Sequence, residues 1–330
     1  MIQKPDSFLI IQTAFLGDVV LATALIEKLK QFHPEASVDF LVRKGNESVL
    51  QGNPHLRNIL IFDKSRKFSS LIELIMEIRK QRYNVVVNVQ RFASSGLLTA
   101  LSGAAYTIGF DKNPFSFFYT RKVPHRLDNI HEVERNQLLV ADFSDTNAAL
   151  PRIYPPQSDQ AIIGALTGKP FITIAPASIW FTKQWPAHKW ISIIEKAVPV
   201  FNVYLLGAAS DVDLCKAISS QFPEENVINL AGKLSLLQSA ALMKEAGMNF
   251  VNDSGPMHLA SGMDAPVTVV YCSTVPSFGF GPLSSRKRIV EISGLSCRPC
   301  GLHGYKTCPL GHFKCAEDIE ADVVWGDLSL

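Results

Sequence analysis

Residues 8–31 read FLIIQTAFLGDVVLATALIEKLKQ, and the change of apolar period inside this stretch decides the fold. Phe8 to Thr13 is a short apolar run of strand length. From Leu16 to Gln31 the apolar positions Val19, Val20, Ala22, Leu25, Ile26 and Leu29 recur at helical spacing. A strand, a tight turn and a helix therefore follow one another, the opening unit of a parallel sheet. The alternation continues with Val38 to Val42 as a strand, Ser69 to Arg82 as a helix and Asn84 to Val89 as a strand buried on both faces.

The periodicity breaks over Ser144 to Gln157, where Asp145, Asn147, Pro151, Pro155 and Pro156 read as a linker. A second cycle follows. Its strands are expected at Phe171 to Ala175, Val203 to Leu206, Phe250 to Asn252 and Val267 to Tyr271. Its helices are expected at Ala187 to Ala197, Asp211 to Gln221, Ser235 to Glu245 and Met257 to Gly262. The expectation is an α/β chain of two Rossmann-like domains, 1–150 and 151–330, with parallel sheets facing across a cleft. Ligands in such sheets bind beyond the carboxyl ends of the strands, which suits a two-substrate enzyme.

The chain has 330 residues, 47% of them hydrophobic, enough for two cores. Its 32 basic and 30 acidic residues nearly cancel, so no nucleic-acid partner is expected. Met1 to Ser7 is polar and Phe8 to Ile11 is too short for a signal-peptide core. No apolar run approaches the ~18 residues of a membrane span. A cytoplasmic protein is expected, soluble or peripheral on the inner membrane, with its six cysteines as thiols or ligands rather than disulfides.

Three segments carry candidate chemistry. In Thr13 to Val20, Gly17 is expected at the strand-to-helix turn and Asp18 at the helix start, where the dipole keeps a carboxylate ionised and able to take a proton from a hydroxyl. On position alone, an N-cap or first-turn acid is the commoner reading of Asp18. The absence of G-x-G-x-x-G at this turn argues against a dinucleotide there. Asn252-Asp253-Ser254-Gly255-Pro256-Met257-His258 ends a strand and opens a helix, an anion site suited to a pyrophosphate. There Asp253 and His258 either orient a ligand or simply cap and pack. Ala175 to Ser178 and Thr182 to Pro186 supply hydroxyls and Lys183, which reads as a partner for a departing diphosphate or as a solvated surface lysine.

In order along the chain, Leu16-Gly17-Asp18-Val19-Val20, Thr182-Lys183-Gln184-Trp185-Pro186, Gly232-Lys233-Leu234-Ser235 and Asn252 to Ala260 resemble the ADP-heptose:lipopolysaccharide heptosyltransferases, glycosyltransferase family 9 of the GT-B fold. The resemblance runs from about residue 8 to about 320 and implies a role for each matching residue. Asp18 would be the catalytic base, and Lys183 and Ser178 would contact the ADP phosphates. Asp253, Ser254, Gly255 and His258 would line the donor pocket, with Leu234 near the adenine and Asp211 on the ribose, a role for which Asp213 competes. The implied reaction is inverting transfer of a heptose or related sugar from ADP-heptose to a lipid A-core glycolipid, with no cofactor and no metal. Ile179, Trp180 and Phe181 are bulky departures that leave the sugar open. The alternatives are another GT-B transferase, a nucleotide-sugar epimerase, or a non-catalytic nucleotide-sugar-binding protein.

Two further segments stand out, the first of which also resembles the family's own C-terminal segment. Cys297, Cys300, Cys308 and Cys315, interleaved with His303 and His312, read as metal ligands or as a packed cluster of reduced thiols, since one C-x2-C supplies half a zinc site. Pro114-Phe115-Ser116-Phe117-Phe118-Tyr119, followed by Arg121 and Lys122, reads as a surface for the lipid acceptor and the membrane interface, or as a loop packed on the first core.

Overall fold

A computed structural model describes residues 5–127, 129–164 and 166–326, so Met1 to Lys4 of the polar leader lie outside it. The chain divides into two units, Met1–Tyr154 and Pro155–Leu330.

The first unit runs β1 (Ser7–Gln12), α1 (Leu16–Phe32), β2 (Ser37–Arg43), β3 (Asn58–Phe62), α2 (Lys67–Gln81), β4 (Val85–Asn88), α3 (Ala93–Ala100), β5 (Tyr106–Phe110), β6 (Arg121–Val123) and α4 (Glu132–Val140). Its six strands are ordered β3-β2-β1-β4-β5-β6, and every pair is parallel. Alternation along β1 explains its unbroken apolar run. Leu9 and Ile11 pack with Leu71, Leu74 and Ile78 of α2 and Leu98 of α3. Phe8, one residue before Leu9, turns to the other face, against the rings of His33 and Phe143.

The second unit runs α5 (Gln157–Gly164), β7 (Phe171–Ala175), α6 (Ala187–Ala197), β8 (Asn202–Leu205), α7 (Val212–Ser219), β9 (Val227–Asn229), α8 (Leu236–Glu245), β10 (Asn249–Asn252), α9 (Gly255–Met263), β11 (Val267–Tyr271), β12 (Lys287–Glu291), α10 (Lys314–Glu317) and α11 (Ala321–Trp325). Its parallel sheet is ordered β12-β11-β10-β7-β8-β9. Trp185 and Trp190 fill the core edge to face at 4.8 Å. Ser235 caps α8 reciprocally with Gln238, which sets where that helix begins.

Strand order reverses between β1 and β4 in one sheet and between β7 and β10 in the other. Each unit thus has a switch point where the loops diverge and leave room for a ligand.

Two expectations need correction. The segment expected to be a linker from Ser144 is packed back on α1 as far as Tyr154. Lys28 pairs with Asp145 at 2.7 Å, Arg152 N–H donates to Thr23 Oγ1 at 3.0 Å, and the Tyr154 hydroxyl donates to Glu27 at 3.0 Å. The strands β3, β5, β6, β9 and β12 went unread because most are short or lie at a sheet edge, where only one face is covered. In β3, Leu60 and Phe62 point inward while Ile61 is exposed.

Candidate functional site

At the switch point of the first unit, the carbonyls of Thr13 and Ala14 are held by Lys64 Nζ at 2.8 Å and Asn46 Nδ2 at 2.9 Å. This fixes the turn from which α1 departs. Phe15 is the N-cap, so Gly17 lies inside the first helical turn rather than at the bend, and Asp18 is the third helical residue. Asp18 is half-buried, and burial outweighs the helix dipole expected to keep it ionised. Burial first, and the neighbouring Glu132 carboxylate second, raise its carboxyl to about 7. Hydrogen bonds from the Phe15 and Asp18 backbone and the charge of Arg91 oppose the shift without cancelling it. Glu132 is itself held by Arg135 at 2.8 Å at the start of α4. Neither Glu132 nor Arg91 carries a spacing signal that connects it to Asp18 in the sequence; the fold alone brings them together.

In the second unit the loops after β7, β10 and β11 form a connected network. Asn252 Nδ2 donates to the Pro176 carbonyl at 2.8 Å and its Oδ1 accepts from Trp185 N–H at 3.0 Å, stitching the β7 loop to the end of β10. Asp253 caps nothing. Its Oδ2 accepts from the Thr274 hydroxyl at 2.6 Å and pairs with Lys183 Nζ at 2.6 Å. Lys183 is 14% exposed, so the reading of a solvated lysine is overturned. Ser254 is the N-cap of α9, but its hydroxyl turns to the Asn252 carbonyl at 3.4 Å instead of capping, and Pro256 lies in the first turn. The helix N-terminus thus opens beside the Lys183 ammonium, and Ser178, half-buried, follows β7 at the same sheet edge. His258 is buried one turn into α9.

Asp211 and Leu234 lie after β8 and β9. Asp211 Oδ2 accepts from Ala208 N–H at 2.8 Å and Oδ1 from the Ser210 hydroxyl at 3.1 Å, so its carboxylate closes its own loop. Leu234 is half-buried ahead of α8. Asp211-Val212-Asp213 has the D-x-D spacing of a divalent-cation grip, but the Asp211 oxygens already serve that loop.

The sequence reading missed what the cysteine-rich segment does. Thr182 Oγ1 accepts from Tyr305 N–H at 2.7 Å, Thr182 N–H donates to the Tyr305 carbonyl at 3.1 Å, and Ser273 Oγ bonds Thr182 Oγ1 at 3.0 Å. Cys300 N–H donates to the Ser273 carbonyl at 2.8 Å, and Arg298 donates to the Thr274 carbonyl. The segment is a clamp on the residues flanking Lys183 and Asp253. Its metal reading gains no support from the geometry. Cys315 is buried in the core, where burial and then the neighbouring Cys300, Cys308 and Cys297 raise its thiol to about 11; burial and then Cys297 and Cys308 also raise that of Cys300, and Cys297 Sγ lies 4.0 Å from His312 Nε2. Among the described residues, no three His, Cys, Asp or Glu are gathered as a metal-ligand set.

Gly304 makes the clamp fit. It has φ +80, and a Cβ there would lie 2.9 Å from Thr182 Oγ1 and 3.1 Å from Lys183 Cγ. Gly304→Ala combines a left-handed backbone cost of roughly 1–2 kcal/mol with that clash. It is expected to lower the melting temperature by several degrees and to raise the donor KM more than it lowers kcat. A thermal melt and donor saturation curves check this.

With this geometry in hand, comparisons with known proteins agree. The family model described as Glycosyltransferase family 9 (heptosyltransferase) matches residues 71–311. Lipopolysaccharide heptosyltransferase 3 of Escherichia coli is 25% identical over 277 residues, covering 79% of this chain and 82% of that protein. Among solved structures, E. coli ADP-heptose lps heptosyltransferase II superposes with TM-score 0.81 at 20% identity, covering 96% of each chain. E. coli heptosyltransferase WaaC with ADP-2-deoxy-2-fluoro heptose gives TM-score 0.70 at 22% identity, covering 87% and 94%.

Proposed function

Since the chain belongs to glycosyltransferase family 9, the heptosyltransferase family, we propose that it is an inverting transferase that moves a heptose from ADP-heptose to the core region of a lipopolysaccharide precursor. The observation that carries this reading is a half-buried carboxyl at the switch point of the first sheet, poised near neutrality, in a chain whose second sheet presents a lysine beside a helix N-terminus. The Asp18 carboxylate takes the proton of the acceptor hydroxyl as that oxygen forms its bond to the anomeric carbon. The bond from that carbon to the diphosphate breaks, and ADP leaves with the electron pair, so the configuration inverts. Lys183 and the opening turn of α9 face the charge that develops on the diphosphate. The ammonium has three donors, so it can serve a phosphate while staying near Asp253.

The acceptor role is assigned to the first domain and the nucleotide-sugar role to the second. Within the second, Ser178, Ser254, Gly255 and His258 are the proposed phosphate and sugar contacts, and Asp211 and Leu234 the proposed ribose and adenine contacts. Asp211 would have to give up part of its loop hydrogen bonding to act so. Because the chain itself supplies positive charge at the leaving group, transfer is proposed to need no metal. Six free cysteines support a cytoplasmic setting. No helix among the described residues is long and apolar enough to cross a membrane.

The test is transfer from a panel of ADP-, UDP- and GDP-sugars to a lipid A-core acceptor, read by mass spectrometry with and without a chelator. A heptose adduct from ADP-heptose alone, unaffected by chelation, is expected. Transfer only from UDP- or GDP-sugars would overturn the donor assignment.

The raised Asp18 pKa also sets a pH profile. A base must be deprotonated to act, so kcat/KM is expected to rise with pH and level off above about 7, falling about tenfold per pH unit well below that value. A profile flat from pH 5 to 8 would remove Asp18 from the role of base.

A further inference from the structure

Helix α2 has two apolar faces, and the fold uses one. Leu71, Leu74 and Ile78 enter the core of the first unit, while Phe68, Ile72 and Met76, spaced i, i+4, i+8, form a second stripe that is 81%, 60% and 61% exposed. The stripe does not end at α2. Arg79 donates to the Leu101 carbonyl at 3.2 Å, joining it to the exposed Leu101 at the end of α3. At the other end of α3 the N-cap Phe92 is exposed, and α3 in turn contacts the Ser116–Phe118 turn, where exposed Phe117 and Phe118 pack ring to ring at 4.2 Å. Single exposed apolar side chains are ordinary, but a contiguous set on neighbouring elements marks a contact surface.

Charge says what the surface meets. Residues 63–82 and 111–122 contain nine Lys and Arg against four Asp and Glu, a net +5 where the whole chain carries +2. Lys44, from outside these segments, neutralises Asp63 at 2.8 Å, while Glu73 pairs with Arg66 at 2.9 Å within them and Arg121 pairs with Asp142 outside them. Lys67, Lys80, Arg82, Lys112 and Lys122 are exposed around the apolar stripe. A second copy of the chain would bring like charges together, whereas an anionic lipid surface accepts both the apolar stripe and its basic border.

We propose that the face formed by α2, the two ends of α3 and the Phe117–Phe118 turn docks on an anionic phospholipid bilayer, with α2 lying in the interfacial plane. The inference rests on neither the donor nor the acceptor assignment. Phe68 lies in the first turn of α2, and α2, like α1 with Asp18, starts at the carboxyl end of the sheet, so docking here would hold that end near lipid-borne hydroxyls.

The experiment is co-sedimentation of the full chain, without substrates, with phosphatidylcholine vesicles and with vesicles also containing phosphatidylglycerol. Binding to the anionic vesicles only, weakened by salt, is expected. The Phe68→Ser/Ile72→Ser/Met76→Ser variant is expected to bind at least about tenfold more weakly, with an unchanged melting temperature because none of the three is in the core. Lys80→Glu/Arg82→Glu, which leaves the apolar stripe intact, is expected to lose the preference for anionic lipid. Failure of the wild-type chain to bind anionic vesicles, or equal binding by both variants, overturns the proposal. A dimer in light scattering that the serine variant abolishes, without vesicle binding, would assign the face to a second copy and overturn it too.

Discussion

Asp18→Asn is expected to lower kcat by about 10²–10⁴-fold while leaving ADP binding unchanged, because it removes the proton acceptor and little else. Asparagine has nearly the same shape and still offers an oxygen to the backbone donors at Phe15 and Asp18. It also takes away a carboxyl that burial and Glu132 both disfavour as an anion, so no loss of fold should obscure the result. The ADP dissociation constant by calorimetry and turnover by product mass spectrometry are the two readings. Turnover within a factor of a few of the unaltered chain would mean that another group takes the proton. Parallel loss of ADP binding would mean that Asp18 shapes the protein rather than the reaction.

Lys183→Ala is the second large effect, and it has two parts that can be separated. Losing the charge that faces the departing diphosphate is expected to cost about 10²–10³-fold in kcat. Losing one partner of a buried pair leaves Asp253 with the Thr274 hydroxyl alone, which is expected to destabilise the second unit by about 3–5 kcal/mol. Adding Asp253→Asn removes the stranded charge, so the double variant should recover most of the melting temperature and almost none of the activity. If the double variant recovers both, Lys183 is a structural ion-pair partner and the leaving group is stabilised elsewhere.

Where local pattern and tertiary environment point the same way, the residues could be read directly. Residues 8–31 change period from strand to helix within a few positions, and the structure follows them as β1 and α1. Phe171–Ala175, Ala187–Ala197 and Val267–Tyr271 begin and end where their apolar runs do. These elements lie at or near the sheet centres or carry one clear apolar stripe, so burial follows from composition. Pro256 in the first turn of α9 and the Ser235 cap are likewise local, since their partners lie within one helical turn.

What the sequence by itself determined is therefore the alternating α/β order, the two-cycle organisation and the positions of the strand-end loops that hold the candidate site. Only the tertiary structure decided the protonation of Asp18, which depends on burial and on Glu132 from a distant helix. It also decided the pairing of Lys183 with Asp253, the clamp of Tyr305 on Thr182, and which of the two apolar stripes of α2 faces the core. The physical reason is common to all four. Electrostatic shifts, ion pairs between loops and the choice of a buried face depend on groups far apart in the chain, and no period or spacing within one segment records how close they come.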